Sequence, residues 1–113
     1  MTGPVCSLAA STCQPCEGGV PPLDPAAVAA LLQQVPQWRL EGTAIAREFH
    51  FRDYHQTIAF VNASAWISHR EDHHPDLEVG YQRCVVRYTT HAIGGLSAND
   101  FICAAKIDAL LQP

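Results

Sequence analysis

Basic residues are scarce in this chain: Lys106 and six arginines are all it has, and no stretch clusters them. With a formal charge of −4, it offers no basic patch of the kind that holds nucleic-acid phosphates. Long apolar runs are missing too, and none approaches the ~20 residues a membrane span requires. No Lys or Arg precedes Arg39, so the amino end lacks the charged start of a secretory signal. A cytoplasmic protein is therefore expected, with no nucleic-acid partner and no membrane. The five cysteines, Cys6, Cys13, Cys16, Cys84 and Cys103, are odd in number and unevenly spaced, which argues against a disulfide framework. Cys84 and Cys103 fall inside apolar patterns and read as small core residues. A serine nucleophile motif is absent. Gly94-Gly95 does not make a phosphate loop, because no lysine or further glycine follows at the required positions.

What is present describes one globular domain. The 113 residues are 48% hydrophobic and 16% charged, enough for a real core and too apolar for disorder. Residues 1–22 read as an irregular lead-in rich in Cys, Gly and Pro, followed by a single domain over 23–113. Asp24 and Pro25 open a helix that ends before Pro36. Trp38-Arg39-Leu40 reads as a short strand, with a turn at Gly42. From Ala44 to Phe51 apolar residues alternate, Ile45, Phe49 and Phe51 on one side, so a second strand pairs with the first. Asp53 caps the next helix. On it, Tyr54, Ile58, Val61 and Ala65 form one apolar stripe and Ala59, Ala63 and Trp66 another, which predicts contacts beyond the local sheet, including a helix-to-helix subunit contact. Leu77–Tyr81 and Gln82–Thr90 read as two more strands. Ser97 and Asp100 have capping-box spacing. The last helix then carries Phe101, Ile102, Ala104, Ile107, Leu110 and Leu111. The expected fold is α+β: a four-stranded antiparallel sheet with three helices on one face, in the order α-β-β-α-β-β-α.

Three histidines mark the candidate site. His73-His74-Pro75 follows the second helix, His91 ends the last strand, and Asp100 lies in the first turn of the last helix. All stand at element ends, where sites are usually built. Histidine, with an unperturbed pKa of ~6.5, gives or takes protons near neutrality. Pro75 pushes His74 out of helical backbone, so the adjacent histidines face different directions. His50 and His55 read as surface residues. A metalloprotease site fails because Arg70, not glutamate, follows His69. A structural zinc held by Cys13, Cys16, His69 and His73 stays open on spacing. Otherwise Cys13 and Cys16 read as solvated or packing residues.

These residues resemble the pterin-4a-carbinolamine dehydratase family. Its motif has an acid, three residues, His-His-Pro, five residues, an aromatic, nine residues, His, then at least eight residues and Asp. This chain has His69, His73-His74-Pro75, Tyr81, His91 and Asp100 at those spacings. Thr89-Thr90-His91 and Gly94-Gly95-Leu96-Ser97 also match, as do Trp38, the segment Ile45–Phe51, Ala59-Phe60-Val61 and Ile107-Asp108. The lead-in Cys13–Gly19 is similar to that of some bacterial and plant members. One departure stands out: the first motif position, most often glutamate in the family, is His69 here.

The resemblance implies a 4a-hydroxytetrahydrobiopterin dehydratase, a hydro-lyase of tetrahydropterin recycling. The 4a-hydroxyl leaves as water, a ring nitrogen gives up a proton, and a quinonoid dihydropterin results. Such general acid–base steps need no metal and no organic cofactor. By resemblance His73, His74 and His91 are catalytic. Asp72, His73, His74, Pro75, Thr89, Thr90, His91 and Ala92 bind the pterin, and His69, Tyr81 and Asp100 support them. Which histidine is acid and which base stays open. Family members also form homodimers or homotetramers through helices and, in animals, partner a transcription factor. The alternatives are therefore a non-catalytic dimerisation module of the same fold, or a role in another pterin pathway such as molybdopterin metabolism.

Overall fold

Three side chains start the three helices. Asp24 accepts the Ala27 N–H ahead of α1 (Pro25–Leu32), Asp53 accepts the Gln56 N–H ahead of α2 (Tyr54–Glu71), and Ser97 accepts the Asn99 N–H ahead of α3 (Ala98–Ala109). Each satisfies a backbone donor that the first helical turn leaves open. Between the helices run β1 (Arg39–Glu41), β2 (Ala44–His50), β3 (Asp76–Val79) and β4 (Arg83–Tyr88). The computed structural model describes residues 8–15 and 20–111. Cys6 and Cys16 lie outside them.

The strands form one antiparallel sheet in the order β1-β2-β4-β3. Gly42, at φ +62°, supplies the left-handed turn between β1 and β2. Register puts Ile45 opposite Tyr88, Arg47 opposite Val86 and Phe49 opposite Cys84, so these side chains share a face. That face packs on the helices: Ile45, Phe49, Cys84, Val86 and Tyr88 join Trp38, Phe60, Ile67, Phe101 and Ile107 in one core. Arg47 crosses this face to Asp108 of α3, which also accepts the Trp38 indole N–H at 2.9 Å. The opposite face carries ion pairs. Arg87 reaches Glu41 at 2.6 Å and Glu78 at 2.9 Å, and Arg83 reaches Glu78 at 3.0 Å. Ala46 lies fully buried between its register partners Arg39 and Arg87, and its small side chain lets the Arg87–Glu41 pair bridge over β2.

The element order is the expected one, and the structure moves three details. The buried face of α2 is neither apolar stripe but Thr57, Phe60, Ser64, Ile67 and Ser68. Their hydroxyls find partners: Thr57 donates within reach of the Asp53 carbonyl on its own turn and the Tyr81 carbonyl after β3, and Ser64 to the Val61 carbonyl. Small satisfied hydroxyls cost little to bury and let the helix lie close to the sheet. Trp66 is consequently 62% exposed. Secondly, α3 stops at Ala109, which leaves Leu110 and Leu111 exposed, whereas Cys103 is buried on α3 as its apolar setting predicts. Thirdly, the strands shift by one or more residues from their expected ends. Tyr81 falls in the turn after β3, where its ring stacks on Tyr54.

Candidate functional site

The end of α2 directs the histidine pair. Asp72 takes a left-handed conformation (φ 53°, ψ 42°), its N–H closing on the His69 and Ser68 carbonyls, and the His73 N–H returns to the Ser68 carbonyl at 3.0 Å. This satisfies the last helical carbonyls and reverses the chain at once. His73 is thereby turned inward, and His74 stays exposed on the rim.

His73 meets a buried carboxylate. Its Nε2 lies 2.5 Å from Asp100 Oδ1, and Asp100 is fully buried. The second oxygen of Asp100 accepts the Ser97 N–H at 2.9 Å and the Thr90 hydroxyl at 2.8 Å. The capping box thus serves two ends, since the residue that closes the start of α3 also holds an imidazole. On its flat side the His73 ring stacks on Tyr88, centroids 5.7 Å apart and planes 8° from parallel. Tyr88 is anchored through its hydroxyl to Ser68 at 2.8 Å, and burial pushes its phenol well above the usual range. Carboxylate, ring stack and hydroxyl together fix the plane of His73.

His91 opens a short 3-10 turn, His91–Ile93, that leaves β4. The turn ends at Gly94 (φ +70°), and Thr90 bridges back to Gly95. Thr89 is pinned by its hydroxyl to the Thr43 carbonyl. A cavity of about 460 Å³ opens here. Asp72, His73 and His74 line it from the α2 side, and Thr89, Thr90, His91 and Ala92 from the β4 side. These seven residues are thus brought together, with Asp100 beneath them. Pro75 is not part of the lining, His69 faces solvent on the last turn of α2, and Tyr81, 66% exposed, lies by Tyr54.

Sequence reasoning did not find the third wall, formed by Cys13, Gln14 and Pro15 with Glu71 and Asn99. The Cys13 N–H donates to Glu71 Oε1 at 2.9 Å, and the Gln14 N–H to Asn99 Oδ1 at 3.0 Å. Asn99 in turn donates to the Gln14 carbonyl, and Lys106 to the Ala9 carbonyl at 2.8 Å. The Cys13 N–H, with Lys106 and Arg70 nearby, holds the Glu71 carboxyl below the usual range. These contacts join residues more than 50 positions apart, |i−j| being 58 and 85, so no local pattern signals them. Among the described residues no three His, Cys, Asp or Glu side chains gather as a metal-binding group. Cys16, which the zinc alternative needs, lies outside them.

Residues 21–110 match the family model described as pterin 4 alpha carbinolamine dehydratase. A protein of Nitrosospira multiformis, provisionally named a pterin-4-alpha-carbinolamine dehydratase, is 62% identical over 105 residues, covering 93% of each chain. A Nitrosomonas eutropha protein with the same provisional name is 62% identical over 108 residues, covering 95% of this chain and 96% of its own. Among solved structures, a Brucella melitensis protein described as a transcriptional coactivator/pterin dehydratase superposes with a TM-score of 0.76 at 28% identity, over 80% of this chain and 99% of its own. A pterin dehydratase-like protein described as a RuBisCO assembly factor in the alpha-carboxysome matches with a TM-score of 0.57 at 28% identity, over 66% of this chain and 88% of its own.

Proposed function

The chain belongs to the pterin 4 alpha carbinolamine dehydratase family, and from that premise we propose that it dehydrates a 4a-hydroxytetrahydropterin to the quinonoid dihydropterin by histidine acid–base catalysis. The observation that carries this reading is one cavity lined by His73, His74 and His91, with Asp100 behind His73. Dehydration requires a proton delivered to the departing 4a-hydroxyl and another taken from a ring nitrogen. Each such step contributes about 10²- to 10⁴-fold when a positioned group performs it. Asp100 engages Nε2 of His73, which leaves Nδ1 as the ring nitrogen for exchange with substrate. His91, on the opposite wall, serves as the complementary proton carrier. His74, at the rim, binds and polarises the pterin. Asp72, Thr89, Thr90 and Ala92 contact the ring system, partly through their backbone groups. The cavity volume suits a bicyclic ligand of this size.

The setting follows the same reading. The protein works in the cytoplasm in tetrahydropterin recycling, as a homodimer or homotetramer built through helices. Exposed Tyr54 and Trp66 on α2 support that assembly. Among the described residues no helix is long and apolar enough to cross a membrane. Exposed Trp66 also favours a second reading, a binding module of this fold that works through a protein partner.

The purified protein with synthetic carbinolamine tests the proposal. Dehydration faster than the spontaneous reaction, followed by ultraviolet absorbance, is the expected result. No acceleration, with one zinc per chain by elemental analysis, would overturn it.

A further inference from the structure

Two thiols meet at the cavity edge and have no part in the acid–base chemistry. Cys13 is partly exposed and lines the cavity, while Cys103 on α3 is fully buried. Their sulfurs lie 3.6 Å apart, although 90 positions separate them in sequence. The approach is held from both sides: Glu71 and Asn99 grip the backbone of Cys13 and Gln14, and Lys106 grips Ala9. A disulfide bond is about 2.0 Å long, so closing it asks the sulfurs to move together by about 1.6 Å. Because Cys103 is buried, a reagent can reach the pair only through Cys13.

We propose that Cys13 and Cys103 form a thiol modification site, in which Cys13 reacts from the cavity with a small disulfide of the glutathione class and Cys103 resolves the adduct into a Cys13–Cys103 disulfide. In the first step the Cys13 thiolate attacks one sulfur of oxidised glutathione. The Cys13–S bond forms, the glutathione S–S bond breaks, and one glutathione thiolate leaves and takes up a proton. In the second step Cys103 attacks the Cys13 sulfur, and the second glutathione departs with the proton that Cys103 gives up. Two protein thiols are oxidised and one glutathione disulfide becomes two thiols, so electrons and protons balance. The Cys103 contact and, more weakly, Lys106 hold the Cys13 thiol below the usual range, while burial and the Glu71 carboxylate act the other way. Contact with Cys13 and burial push the Cys103 thiol up, so Cys13, which also faces the cavity, is the thiol that attacks first. The product fastens the segment from Leu8 to Pro15 to α3 and fixes one cavity wall.

Peptide mapping by mass spectrometry tests this on the full chain incubated with oxidised glutathione and digested without reductant. The expected product is one intramolecular cross-link, Cys13 to Cys103, with the loss of two hydrogens. Cys103→Ser stops at a glutathione adduct on Cys13, and Cys13→Ser leaves Cys103 unmodified. In the unsubstituted chain Cys13 reacts at least about tenfold faster than Cys84, which is buried in the sheet and whose thiol is pushed up by that burial. A Cys13–Cys16 cross-link, a Cys103 adduct in Cys13→Ser, or an unreactive Cys13 would overturn the proposal. Should either variant fail to fold, the map of the unsubstituted chain still decides between Cys13–Cys103 and Cys13–Cys16.

Discussion

The solvent face of the sheet and the cavity end hold their charged groups in opposite ways. On the solvent face, Arg83 and Arg87 alternate with Glu41, Glu48 and Glu78 in a ladder whose side chains remain roughly a third to a half exposed. At the cavity end, one carboxylate, Asp100, is fully buried and shared among an imidazole, a hydroxyl and a backbone N–H. Water screens the ladder, so each of its pairs is worth little and losing one is tolerated. Asp100 has no water to fall back on, and every partner it loses leaves a buried group unsatisfied. The ladder ties strands together cheaply, whereas the Asp100 cluster holds one imidazole plane at the cavity.

Breaking the buried side should have the largest effect. Asp100→Ala removes one half of the capping box of α3 and leaves the Ser97 N–H and His73 Nε2 without their partner, and is expected to cost about 3–5 kcal/mol of unfolding free energy in urea melts. Asp100→Asn is the sharper variant. Its amide keeps the shape and one oxygen but presents an N–H to His73 Nε2, which forces the other tautomer. Stability should fall by about 1–3 kcal/mol, and dehydration by at least about tenfold.

An intermediate effect belongs to Glu71, which ties the lead-in to α2. Its carboxyl is held below the usual range, so the stabilisation it gives is present above the unfolded pKa and fades as pH falls through the folded one. Glu71→Gln should therefore lower stability at pH 7, with the gap to the parent closing below about pH 4. A gap that stays unchanged on acidification would show that the tether does not depend on charge. The smallest effect is expected on the solvent face. Arg87→Ala should cost about 0.2–1 kcal/mol in urea melts at low ionic strength, and less in high salt. A larger or salt-independent loss would mean that the ladder is packed rather than solvated.

Much of this architecture is legible locally. Asp24, Asp53 and Ser97 announce helix starts, Ile45 and Phe49 alternate onto the core face, and Gly42 marks a left-handed turn. The second helix ends at Glu71, just ahead of the point where Pro75 rules out helical backbone. Polar residues that bury themselves are harder to read. Thr57, Ser64 and Ser68 look like a solvent face, yet they lie against the core because their hydroxyls find partners there. The wall from Cys13 to Pro15 was invisible because its partners, Glu71 and Asn99, are distant in sequence. Tyr88 was also missed as the support of His73, since an aromatic in a strand reads simply as core.

If the cavity histidines carry the proton transfers, the loss shows in single-turnover dehydration of synthetic carbinolamine with His73→Ala and His91→Ala, each checked for an unchanged circular dichroism spectrum. A fall of at least about tenfold in each variant is the predicted result. Unchanged rates in both, with the fold intact, would contradict the account.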